Sequence, residues 1–146
     1  DVLLAAAGGQ PQAALALHEE GIGATAWSAL PGAVRRGHAS ALASWPVPRL
    51  VDALHKLCHD LLAQLNGGAP RFFSAEALSP ALRQAPTLAA LLAWQRELLQ
   101  AARHEDHPWH APLRIDALLA QAAALWHTPR PPAPARGGAV ATLPGR

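Results

Sequence analysis

The stretch VPRLVDALHKLCHDLLAQLN, residues 47 to 66, carries the longest uninterrupted amphipathic pattern in the chain. At about 100° of rotation per residue, its apolar side chains fall within one arc of roughly 140°. These side chains are Leu50, Val51, Leu54, Leu57, Cys58, Leu61, Leu62 and Leu65. The opposite side holds Asp52, His55, Lys56, His59, Asp60 and Gln64. Because prolines precede this pattern and Gly67-Gly68 follows it, we predict a single helix whose wide stripe several other helices must cover.

Further helical segments lie on both sides of this stretch. Residues 87–103 place Gln95 within an apolar face of roughly 120°, which is formed by Leu88, Leu91, Leu92, Leu98, Leu99 and Ala102. A last helix is predicted from about Ala111 to Trp126. Shorter pieces precede the central stretch, and Pro31-Gly32 is expected to interrupt one of them before Ala33. The sequence therefore predicts an all-α helical bundle with short N-terminal helices.

The positive charge is concentrated at the end of the chain. Residues 127–146 contain five prolines and three arginines, a composition that predicts a disordered C-terminal tail. The calculated pI is 9.5, but nine basic and ten acidic side chains remain when the arginines of this tail are left out. The predicted bundle is therefore not a basic surface of the kind that binds nucleic acid.

Composition also bears on location and redox chemistry. No run approaches the roughly 18 apolar residues of a membrane span, and no signal peptide pattern opens the chain, so we expect a cytoplasmic protein without membrane contact. The one cysteine, Cys58, lies on the apolar stripe and is predicted to be a buried small hydrophobe. Because the chain begins at Asp1 without methionine, we expect it to be the C-terminal part of a longer protein.

Two groups of histidines raise the alternative of a small helical metal-binding protein. His104, His107 and His110 lie close to two acidic residues, and imidazoles and carboxylates are zinc ligands. Pro108 and Trp109 interrupt this segment, which favours a structured loop between helices. His55 and His59 have the helical spacing of a metal pair but lie opposite the apolar stripe, which favours a solvated face.

No catalytic pattern emerges from the sequence. Cys58 is not accompanied by a base on the same helix face, and the chain contains no Gly-x-Ser-x-Gly elbow. The glycines at 8 and 9 have no lysine after them, as a phosphate-binding loop requires. We therefore expect no catalytic site, no cofactor and no small-molecule substrate.

Two parts of the chain resemble bacterial clamp-loader subunits. AAAGGQPQAALAL, residues 5–17, resembles the end of the lid domain in clamp-loader AAA+ ATPases. LHKLCHDLLAQLNGGAPRFF at 54–73, followed by ARHEDHPWH at 102–110, resembles the C-terminal collar domain of the delta-prime subunits of DNA polymerase III. The resemblance covers residues 2–126. It implies that 1–20 ends an AAA+ lid domain and that 21–126 is a helical collar domain, which is followed by the tail that composition predicts for 127–146.

The same resemblance implies a function in DNA replication. The position of the sensor-2 arginine falls on Gln12, which agrees with a subunit that does not hydrolyse ATP. Collar domains pack side by side into the ring that holds the pentameric loader together while the sliding clamp is placed on DNA. The implied partners are the delta and tau/gamma subunits, and DNA is reached only through the assembly. Candidate contact residues are Trp94, Gln95 and Trp126, for which ordinary core or rim packing is the alternative.

Overall fold

A computed structural model describes residues 1–103 and 111–127, with side chains described for 1–103 and 115–127. Seven α-helices and one short 3-10 helix make up the regular structure of these residues, in which no strand occurs. The α-helices are α1 Val2–Ala6, α2 Pro11–Glu19, α3 Ala24–Arg36, α4 Val47–Leu65, α5 Ala75–Leu82, α6 Leu88–Arg103 and α7 Ala111–His127. The 3-10 helix spans Ala39–Leu42. The prediction of an all-α fold with short N-terminal helices is therefore confirmed.

Helix α4 is the centre of the bundle. It packs chiefly against α6 and also contacts α7, while α3 packs against α5, α7 and α1. Six of its eight predicted stripe residues are buried, and the two exceptions lie near its end: Leu62 is half-buried and Leu65 is exposed. Ala6 from α1 and Leu17 from α2 belong to the same hydrophobic cluster as α4. Local periodicity thus identified the helix around which the core forms.

The predicted end of α4 is a glycine cap. Gly67 has a φ of 79°, which is the left-handed conformation that glycine adopts without steric cost. Its N–H donates to Gln64 O at 3.1 Å, and the next N–H, of Gly68, donates to Ala63 O at 2.8 Å. These are the two hydrogen bonds of a Schellman motif, and they pair carbonyls that would otherwise lack a partner.

The predicted interruption of the third helix was wrong. Helix α3 continues through Pro31 to Arg36, although a proline removes one backbone hydrogen bond from a helix interior. Trp27 and Leu30 before the proline and Val34 after it are all buried, with at most 1 % of each side chain exposed. The helix segments before and after Pro31 therefore pack against one core, and this packing offsets the lost hydrogen bond. The local pattern Pro31-Gly32 does not show such packing.

Asp60 is predicted to lie on the polar side of α4, opposite the apolar stripe, but the structure buries it. The side chain is completely buried because the loop that follows α4 folds back over it. Its Oδ1 accepts a hydrogen bond from Arg71 N at 2.9 Å. Its Oδ2 accepts from Phe72 N at 2.8 Å and from Phe73 N at 2.9 Å. One carboxylate thus binds three successive backbone N–H groups and fixes the path of the chain into α5.

An aromatic stack holds the other side of this loop. The rings of Trp27 and Phe73 are 4.8 Å apart between centroids and nearly parallel, at 9°. The ring of Trp45 also stacks with that of Trp27, at 6.2 Å between centroids and 14° between planes. Trp27 Nε1 donates to Phe72 O at 3.1 Å. The loop is therefore held to α4 through Asp60 and to α3 through Trp27, and Ser74 Oγ then caps α5 by accepting from Ala77 N.

Two predictions about the organisation of the chain stay predictions. The predicted disordered tail, 127–146, lies outside the described residues except for His127, which is the last residue of α7. The boundary predicted at residue 20 between lid and collar stays a prediction. Within the described chain, none of the helices is both long and apolar enough to cross a membrane.

Candidate protein-interaction surface

Helix α6 presents leucine side chains to both the core and the solvent. Thr87 Oγ1 begins the helix by accepting from Ala90 N at 3.2 Å. Leu91, Trp94 and Leu98 then face the core, with at most 3 % of each side chain exposed. The apolar face predicted for α6 is therefore divided between two environments, since its remaining leucines are exposed.

The exposed leucines form one strip. Leu88, Leu92 and Leu99 are 48 %, 40 % and 51 % exposed, and their spacing of four and seven residues places them within an arc of about 40°. We call these three residues the α6 apolar surface. Scattered exposed leucines are ordinary in proteins, but an aligned set on one helix is typical of a contact surface. The sequence pattern places these three leucines in one apolar face with Leu91 and Leu98 and does not separate the exposed side chains from the buried ones.

Gln95 lies at the border of the α6 apolar surface. It is half-buried, and its position on the helix is about 20° from Leu88, towards the buried side. A partly covered amide at the edge of an apolar strip can pair with a polar group on an incoming helix. The structure thus places Gln95, a predicted contact residue, beside the exposed leucines of the α6 apolar surface.

The two tryptophans predicted with Gln95 have different surroundings. Trp94 is only 3 % exposed, and its Nε1 is a buried nitrogen without a hydrogen-bond partner among the described residues. Trp126 on α7 is half-buried, and its Nε1 donates to Ala81 O at 2.9 Å, which ties α7 to α5. In this chain Trp94 packs in the core, and Trp126 packs at the rim beside the ends of α5 and α3.

The structure describes one of the two histidine groups that suggested a metal-binding protein, His55 and His59. His104, His107 and His110 lie outside the described residues, so that site stays a prediction. In the ranges 1–103 and 111–127, no three or more His, Cys, Asp or Glu side chains form a group that could hold a metal ion. His59 Nδ1 lies 3.0 Å from Asp60 Oδ1, and Asp52 pairs with Lys56 at 2.7 Å.

Cys58 is placed as the sequence predicted, inside the core. Its side chain is fully buried, and its Sγ lies 3.5 Å from Leu91 O on α6, to which the thiol donates. Burial removes water from the thiolate and raises the pKa of this thiol from its ordinary value of 9.0 to about 12. A thiol in this setting is a packing group and not a nucleophile.

The raised pKa of Cys58 predicts a loss of stability at high pH. Between about pH 9 and pH 12 the unfolded chain loses the thiol proton while the folded chain keeps it, so the free energy of unfolding falls by about 1.4 kcal/mol per pH unit. Below about pH 9 this contribution is fully present. The chain has no tyrosine and one lysine, so few other groups titrate in this window. Urea unfolding across the window measures the slope.

The matched control for this prediction is Cys58→Ala. The alanine variant should be less stable overall because it leaves a small cavity, but its stability should fall less steeply with pH. An equal slope in the two proteins would show that the decline comes from other groups.

Comparison with known proteins gives no family assignment. No protein-family model matches the sequence, and neither a curated protein nor a solved structure matches the chain.

Proposed function

We propose that this chain is the collar domain of a clamp-loader delta-prime subunit and that it helps hold the pentameric loader of DNA polymerase III together. The support comes from the motifs at 5–17, 54–73 and 102–110 and from their order along the chain. In this role the domain performs no catalysis and binds no cofactor. It works in the cytoplasm, with the delta and tau/gamma subunits as neighbours, and reaches DNA only through the assembly.

The α6 apolar surface is the observation that carries this proposal. A scaffold domain needs an apolar surface that a partner helix can cover, and Leu88, Leu92 and Leu99 provide one along about three turns of helix. Full burial of a leucine contributes about 1.5–3 kcal/mol. Completing the burial of three half-exposed leucines would therefore contribute a substantial part of the affinity. Gln95 gives the contact a polar group at its edge.

The direct experiment mixes the chain with purified delta and tau/gamma subunits and follows co-elution by size-exclusion chromatography with light scattering. We expect a stable complex with at least one of these subunits. A chain that elutes alone in the presence of each of them would contradict the proposed function.

Charged substitutions in the α6 apolar surface test where the contact lies. We expect Leu92→Asp or Leu99→Asp to weaken association at least about tenfold, because a carboxylate would have to be buried in the contact. Stability should fall by only about 1 kcal/mol because roughly half of each side chain is already in water in the isolated chain. Equilibrium binding measured by titration calorimetry, with urea unfolding as the folding check, gives both values.

Leu65→Asp is the matched control for these variants. Leu65 is 40 % exposed, as Leu92 is, but it lies at the end of α4. This variant should bind the partner as the parent chain does. If the Leu65 and Leu92 variants lose affinity equally, the α6 apolar surface is not the specific contact.

A further inference from the structure

The α6 apolar surface belongs to a longer alternating pattern on the same helix. Together with two further residues, its members follow one another at spacings of four, three, four and three: Leu88, Leu92, Gln95, Leu99 and Ala102. We call these five residues the α6 seam. Such an alternation is the heptad spacing of a coiled coil, in which these positions form the contact between two helices. All five side chains are exposed or half-buried, so within the described part of the chain one side of a two-helix contact stays open.

The charge beside the α6 seam is positive. Arg96 and Arg103 are both exposed, and on the helix they lie within about 40° of Leu92. Neither forms a salt bridge with a described residue. Glu97, the one acidic residue of α6, lies about 140° from Leu92, on the far side of the helix. A helix that packs on the α6 seam therefore meets uncompensated positive charge along one edge.

The opposite edge of the α6 seam carries no charge. The residues that flank the seam there are Leu91 and Leu98, and both are fully buried in the core of the domain. In coiled coils the charged residues beside the seam set the choice of partner and its orientation. On α6 this choice therefore depends on Arg96 and Arg103.

The chain itself offers no segment that complements this charge. In an antiparallel pair of two α6 helices, a two-fold axis would place Arg96 and Arg103 of both copies along the same edge of the contact, where they repel. In a parallel pair the arginines would face the uncharged edge of the other copy. Residues 127–146 contain three arginines and no acidic residue, so they also carry the wrong charge.

We propose that the α6 seam binds an acidic amphipathic helix of another protein. Apolar side chains of that helix pack along the seam, and its carboxylates pair with Arg96 and Arg103. A polar side chain of the same helix pairs with Gln95 and fixes the register, as one polar residue in an apolar seam does in coiled coils. This inference rests on the proposed function, which makes the α6 apolar surface a subunit contact, and it adds the chemistry that the partner must have.

Two designed peptides test this proposal by titration calorimetry on the full chain. Each is an amphipathic helix of about 20 residues with leucines at the seam positions. The two differ only beside the seam, where one has glutamates and the other has lysines, and these like charges oppose self-association of each peptide. We expect saturable binding of the glutamate peptide, about tenfold tighter than that of the lysine peptide at low salt, and a smaller difference at high salt. Absence of saturable binding by the glutamate peptide, or equal affinity for both peptides, would overturn the proposal.

Charge reversal on α6 locates the contact. In Arg96→Glu we expect affinity for the glutamate peptide to fall about tenfold and affinity for the lysine peptide to rise, because attraction and repulsion change places. Arg36→Glu is the matched control, since Arg36 is also an exposed helical arginine but lies on α3. This variant changes the net charge equally and should keep the preference of the parent chain. Equal effects of the two substitutions would show only general charge attraction and would contradict binding at the seam.

Light scattering of the chain without peptide tests the other possible occupant. We expect a monomer, because a second copy would bring like charges together along the seam. A stable dimer that Leu92→Asp dissociates would show that a second copy covers the α6 seam, and this result would overturn the proposal.

Failure of this proposal is distinguishable from failure of the proposed function. If loader subunits bind the parent chain and Arg96→Glu equally well while the glutamate peptide does not bind, the scaffold function holds and the acidic-helix proposal is wrong. If the glutamate peptide binds with the expected charge preference while the chain elutes alone in the presence of each loader subunit, the opposite conclusion follows.

Discussion

Replacing Asp60 with alanine is expected to lower the free energy of unfolding by about 3–5 kcal/mol, the cost typical of losing one member of a buried charged network. The carboxylate accepts hydrogen bonds from the backbone N–H groups of Arg71, Phe72 and Phe73. Without it these groups lose their acceptor, and a buried N–H without a partner costs about 1–3 kcal/mol. Since small domains are stable by about 5–15 kcal/mol, the loss would be a large fraction of the total.

Urea unfolding measures the total effect, and amide hydrogen exchange shows where it arises. In the parent protein we expect slow exchange at Phe72 and Phe73, whose N–H groups are 2.8 and 2.9 Å from Asp60 Oδ2. In the Asp60→Ala variant these two amides should lose protection before the amides of α4 do, because the loop is released first.

Asp52→Ala is the matched control on the same helix. Its carboxylate pairs with Lys56 one turn away, and its side chain is 45 % exposed. A partly exposed pair of this kind contributes about 0.3–0.5 kcal/mol. If the two alanine variants are equally stable, the three hydrogen bonds to Asp60 do not hold the loop as we infer.

Replacing Trp27 with alanine is the second change from which we expect a large effect, about 3–5 kcal/mol. The indole is 1 % exposed, and it stacks with the rings of both Phe73 and Trp45. Its removal would leave a cavity between α3 and the loop that follows α4. It would also leave Phe72 O without the N–H that it accepts at 3.1 Å.

Trp27→Phe separates packing from hydrogen bonding. Phenylalanine keeps an aromatic ring in contact with Phe73 and Trp45 but lacks the N–H, so we expect a cost of about 1–2 kcal/mol, well below that of alanine. Urea unfolding of the two variants gives the comparison. If phenylalanine costs as much as alanine, the stacked rings contribute little and the hydrogen bond to Phe72 dominates.

Asp60 on α4 and Trp27 on α3 hold the same loop, so their effects should not add. Once the loop is released by Asp60→Ala, the contacts of Trp27 with Phe72 and Phe73 are already weakened. The double alanine variant should therefore be destabilised by less than the sum of the single variants. Additive losses would show that the two contacts stabilise the domain independently.

The candidate contact surface was only partly predictable. Gln95 was identified because a glutamine inside an apolar face is anomalous in any environment. Leu88, Leu92 and Leu99 are of the same residue type as Leu91 and Leu98, so composition cannot tell which of them face solvent. Which of these leucines face solvent depends on how far the neighbouring helices extend around α6.

The sequence by itself determined the three long helices α4, α6 and α7 and their ends. The stripe of α4, the cap at Gly67 and the spans of α6 and α7 depend on residues within a few positions of one another, so periodicity and glycine geometry predict them. Only the tertiary structure decided that α3 continues through Pro31 and that Asp60 is buried. In both cases the stabilising contacts are with residues outside the helix itself. The free energy of these contacts together exceeds a local preference of a few kcal/mol, such as the cost of a proline inside a helix.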